Sequence, residues 1–127
     1  MIGLGATAVS AMLLLSACGQ DGAALARQAC VHVNASIRYF ERSTKSNISL
    51  AAAARLRTKA DAELRAALPL AAQATSANGS MNALMTTISE GATVDEAHLI
   101  PALKGQCAVV NTNVNVNPAP PGNLPRS

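Results

Sequence analysis

From Ala26 onward, apolar residues return every three or four positions. Ala26, Cys30, Val33, Ile37 and Phe40 alternate spacings of four and three, which draws one stripe along a helix and fits no strand. Gln28, Asn34, Arg38 and Glu41 fall largely off that stripe, so the spacing predicts a first helix over about 23–43. A second stripe, Leu50, Ala53, Leu56, Ala60, Leu64, Ala67 and Ala71, predicts a helix over about 48–75, with Asn47 or Ser49 as its cap. Alanine dominates both stripes. It favours helix because it loses no side-chain entropy, and its small size lets helices approach closely. With aromatics at only 2% and no Trp, the expected core is thin and evenly packed.

The punctuation that follows is also helical. Pro69 removes a backbone donor and crowds the carbonyl of Arg65, so a kink is expected there and not a domain boundary. Gly79 suits a left-handed helix end. Ser80 is placed to cap a third helix carrying Met81, Leu84, Met85 and Ile88, and Gly91 closes it. Thr93 and Glu96 have the spacing of a capping box for a fourth helix. Its apolar face reads Ala97, Ile100, Leu103, Cys107 and Val110, with Pro101 either kinking it or starting a new segment. The fold class expected is therefore all-α: an up-down bundle of three to four alanine-rich helices over 23–110. Beyond it, 111–127 is rich in Asn and Pro and is expected to be a disordered tail.

The N-terminal stretch has a different character. Ile2 to Ala17 carries no charge and is rich in Leu, Ala and Val. It is shorter than the about 20 apolar residues that span a hydrocarbon core, and it grades into small residues as secretory signals do. It ends in Leu15-Ser16-Ala17-Cys18: an aliphatic residue, two small residues and a cysteine. In this box the chain resembles a bacterial lipoprotein precursor, although the Lys or Arg that usually precedes the apolar run in that family is missing. The resemblance implies a signal peptide over 1–17, cleavage between Ala17 and Cys18, and a diacylglyceryl thioether on Cys18 whose palmitate-type acyl chains form the lipid anchor. A lipidated tether over 18–22 then leads into the bundle. It places the protein outside the cell, held to the outer face of the bacterial cell membrane, or to an outer membrane if the cell has one. The mature region is similar, loosely, to small uncharacterised helical lipoproteins.

The chain has three cysteines, and lipidation of Cys18 leaves Cys30 and Cys107. An exported protein meets an oxidising environment. Both remaining thiols lie on apolar stripes, of the first and last helices, so an inter-helix disulfide Cys30–Cys107 is expected.

Candidate chemistry is sparse. Net charge is +3, from 10 basic and 7 acidic residues. With no concentrated basic face and few aromatics, nucleic acid is not an expected partner. His32 and His98 accompany the two cysteines on the first and last helices. His32 points about 160° from the Cys30 stripe, as a surface residue, and no three or four ligands converge in the pattern, so no metal is expected. His98, Asp95 and a serine supply the residue types of a hydrolase without any motif that places them. No phosphate-binding loop or dinucleotide fingerprint is present, so no cofactor and no enzymatic activity are expected. Arg57, Asp61 and Arg65, like Lys59 and Glu63, are spaced four apart as on a solvated helix face. Met81 and Met85 read as core, as does Phe40, with Tyr39 beside it turned to water. The expected function is that of a membrane-anchored envelope lipoprotein with a protein-interaction or structural role and an envelope protein as possible partner. The alternative is a carrier of a small apolar or lipid ligand in an inter-helix cavity.

Overall fold

The computed structural model describes residues 21–112. The expected signal peptide over 1–17, the Cys18 box and the expected tail from 113 to 127 lie outside the described residues. Four helices follow one another: α1 Gly22–Ser43, α2 Leu50–Ala77, α3 Asn82–Glu90 and α4 Glu96–Thr112, with a 3-10 turn at Gly79–Met81 between α2 and α3. The described residues contain no strand. The protein is all-α, as the spacing predicts.

The three longer helices start where a polar side chain takes up an otherwise unpaired backbone donor. Asp21 accepts from the Ala23 N–H at the start of α1, so the helix takes in Gly22, one residue earlier than expected. Ser49, of the two candidates, caps α2 through the Ala52 N–H. At α4 the capping box does not form. Asp95 accepts from the Ala97 N–H, the Thr93 hydroxyl turns back to the Glu90 carbonyl, and the Glu96 carboxyl leaves the helix end for α1. The left-handed turn expected at Gly79 is also replaced. Asn78 is extended, and its side-chain oxygen holds the Ser80 backbone N–H and hydroxyl. That contact winds Gly79–Met81 into the 3-10 turn and takes Ser80 out of a capping role; the residue preceding α3, Met81, makes no side-chain cap. Both α2 and α4 continue through their prolines, Pro69 and Pro101. α4 also runs two residues past Val110, into the region expected to be tail.

The topology is up-down. α1 and α2 are antiparallel along their whole length. Gly22 faces Ala74, Ala77 and Asn78, His32 faces Glu63, Ser36 faces Ala60, and Phe40 faces Arg57. α3 returns along α2, bringing Gly91 beside Leu64. α4 returns along α3, with Gln106 bonded to Thr87, and crosses α1 at Cys30–Cys107. All six buried alanines, Ala26, Ala29, Ala60, Ala67, Ala71 and Ala74, sit on α1 and α2. The alanine therefore serves one seam, where two long helices close on each other. Leu84, Ile88, Leu99, Leu103 and Val110 bring the larger side chains of α3 and α4 to the same core.

Several expected core positions differ, and Ala53, Met81, Met85 and Ile100 are only half-buried. Leu50 is 92% exposed, because it is the first residue of α2 and projects beyond the end of α1. Leu99 takes the buried place expected for Ala97, which is exposed; at about 100° per residue Leu99 lies roughly 40° from the buried Leu103, and Ala97 roughly 120° from it. Phe40 is half-buried, with Arg57 lying 5.8 Å over its ring.

Candidate functional site

Cys30 and Cys107 form a disulfide, with Cα atoms 5.5 Å apart and both residues buried. It joins the first helix to the last across 77 positions of sequence. Cys18 and Ala17 lie outside the described residues.

The most chemically loaded place is the junction of α1, α2 and the start of α4. Ser36 is fully buried. Its hydroxyl oxygen lies 2.7 Å from the Ala60 carbonyl and 2.6 Å from Glu96 Oε1. A hydroxyl has one proton to donate. When it goes to Ala60, the contact with Glu96 is bonded only if the carboxyl keeps its own proton and donates it to Ser36. Burial raises the Glu96 pKa above its ordinary value of 4.5. Asp61 and Asp95 push in the same direction, while the Ser36 hydroxyl pulls the other way when it turns to the carboxylate. Glu96, Asp61 and Asp95 border an open cleft of about 320 Å³ with Arg57, Phe40 and Val94 on its walls. Neither histidine lines it, so the carboxyls have no imidazole partner there.

His32 is not a free surface residue. It is half-buried at the α1–α2 seam, with Nδ1 2.6 Å from Glu63 Oε2. That takes Glu63 away from Lys59, which lies over the Tyr39 ring at 5.7 Å. Asp61 and Arg65 do form the expected pair, at 2.8 Å on the helix surface. His98 is exposed on α4. Among the described residues no group of three or more His, Cys, Asp or Glu side chains is arranged to hold a metal ion.

The more apolar depression lies elsewhere. A groove of about 280 Å³ separates the start of α3 from the second half of α4 and is walled by Met81, Ala83, Leu84, Val109 and Val110. At its edge the Gln106 amide N–H donates to the Thr87 hydroxyl at 2.9 Å. Thr87 gives its own proton to the Ala83 carbonyl, which fixes the amide orientation and leaves Gln106 Oε1 without a donor among the described residues. The two methionines are half-buried and pack on the core. The sequence offers Met81 and Met85 either as core or as a methionine-lined groove, and the core reading passes over this groove, whose other wall includes Val109, off the α4 stripe and 57% exposed. Sequence reasoning missed the Ser36–Glu96 contact because a capping box was the nearer use for Glu96.

No family model, curated protein or solved structure matches the chain. No helix among the described residues is long and apolar enough to cross a membrane.

Proposed function

We propose that this chain is an exported lipoprotein, cleaved before Cys18 and held by a lipid on that thiol to the outer face of a bacterial membrane. There it has a non-enzymatic, protein-interaction or structural role. What carries the reading, beside the Leu15-Ser16-Ala17-Cys18 box, is the Cys30–Cys107 bridge. The two cysteines outside the box pair with each other, and such bridges persist in oxidising compartments outside the cytosol. The box accounts for the third. An anchored module of this kind gains effective concentration towards any partner on the same membrane without needing high intrinsic affinity.

The carrier reading has less support. Ala26, Ala60, Ala67, Ala71, Ala74 and Leu103 are fully buried, and the apolar groove opens on the surface between α3 and α4. Its volume of about 280 Å³ falls just below the about 300–1,000 Å³ of ligand pockets.

The test is incorporation of a clickable fatty acid in growing cells. The wild-type chain is expected to take the label and Cys18→Ser to lose it. Equal labelling of both, or none in either, contradicts the anchor. Native mass spectrometry of the purified protein, showing a stoichiometric bound lipid apart from the one on Cys18, would instead favour the carrier.

A further inference from the structure

We propose that the end of the bundle where α1 begins is a lipid-facing surface, and that the groove between Met81 and Val109 packs against acyl chains of the bilayer. This role rests on anchorage at Cys18 and adds to it a specific face and orientation of the domain.

The topology gathers three helix ends and a turn at one place. Gly22 packs against Ala77 and Asn78, Asn78 holds Ser80, and Ser80 and Met81 border the groove opposite Val109 and Val110. The start of α1, the end of α2, the 3-10 turn and the end of α4 thus share one end of the molecule. Charge is nearly absent from it. The sequence carries no charged residue between Arg65 and Glu90, nor from Gly105 to Thr112. Among the described residues only Asp21 and Arg27 remain near that end, while Arg38, Arg42, Lys45, Arg55 and Arg57 cluster at the other. This charge-poor end meets lipid with few ions to strand in a medium that cannot solvate them. Ser80, Asn78, Asn111 and Thr112 on its rim suit the headgroup level.

Chain length then fixes which end is near the membrane. Cys18 precedes Asp21 by three residues, and three residues span at most about 11 Å even when fully extended. The 28-residue α2 is about 42 Å long. The charge-poor end is held beside the bilayer, and the charged end has room to stand well away from it. The groove, open at Gly105, where an added Cβ would meet nothing within 4 Å, lies on the end the tether brings down.

The protein has no tryptophan, so a single introduced indole reports position unambiguously. Full-length chains carrying Val109→Trp, Ala83→Trp (a second exposed groove position) or Leu50→Trp at the far end are purified from membranes. They are reconstituted into phosphatidylcholine vesicles brominated on the acyl chains, with intact mass taken on each preparation. Interfacial apolar faces reach roughly 5–10 Å into the headgroup–chain boundary, so the two groove indoles should lose about half or more of their emission to bromine while Leu50→Trp stays unquenched. Lipidated protein that floats with the vesicles but shows equal, weak quenching at all three sites overturns the lipid-facing surface and leaves the anchor standing. A blue shift in the groove without bromine quenching, in a protein of twice the expected native mass, reassigns the face to a second copy and also overturns it. A mass without acyl groups removes the anchor and the surface together.

Discussion

The hydroxyl oxygen of Ser36 on α1 lies 2.6 Å from a carboxyl oxygen of Glu96, the first residue of α4, while also lying 2.7 Å from the Ala60 carbonyl. One proton cannot serve both acceptors, so the junction is best satisfied with Glu96 protonated. Burial, helped by Asp61 and Asp95, raises its pKa. A carboxyl that holds its proton more tightly folded than unfolded contributes stability fully below the ordinary value of 4.5. It loses that contribution as pH rises through the raised folded value. Glu96→Gln, which keeps a donor for Ser36 and cannot ionise, should therefore melt higher than wild type at pH 7. The gap should close as pH falls to about 4, which thermal denaturation across that range checks.

The disulfide should dominate stability. Closing a loop across 77 positions removes denatured-state freedom equivalent to about 4–5 kcal/mol in the chain-entropy account. Cys30→Ser with Cys107→Ser, or reduction of the wild type, should lower the urea midpoint by a corresponding amount. A change within about 0.5 kcal/mol, the range of an ordinary surface substitution, would contradict this.

The alanine seam should resist enlargement. Ala67 is fully buried on α2, and extra carbon atoms in a packed seam cost about 1–3 kcal/mol. Ala67→Leu is expected to show that loss in chemical denaturation. Leu50→Ala, at the 92% exposed start of the same helix, should remain within about 0.5 kcal/mol of wild type.

The start of α4 offers a sharp comparison. Asp95 bonds the Ala97 N–H and Thr93 bonds the Glu90 carbonyl. Removing an N-cap costs about 1 kcal/mol, so Asp95→Ala should be destabilising by that amount, Asp95→Asn nearly neutral, and Thr93→Ala smaller than Asp95→Ala. The reverse order would restore the capping box.

Much of the fold is legible in the sequence because helix periodicity and small-residue content are local signals. Ala60, Leu64, Ala67 and Ala71 are buried where the stripe puts them, and Cys30 and Cys107 meet as two inward thiols on the first and last helices should. What was not legible depends on choices between equivalent local partners. Glu96 had a cap within three residues and took Ser36, sixty positions away. Glu63 had Lys59 one turn off and took His32. Gly79 could have turned left-handed, but Asn78 supplied two hydrogen bonds that wound a 3-10 turn first. The groove depends on where α3 sits against α4, which no periodicity fixes.

The central claim is an exported chain anchored at Cys18 and stapled between Cys30 and Cys107. Intact mass of the protein purified from membranes, native and after reduction and alkylation, tests it most directly. The account predicts a chain that begins at Cys18 and carries acyl groups, with two alkylatable thiols that appear only on reduction. An unlipidated full-length chain with three free thiols would contradict it.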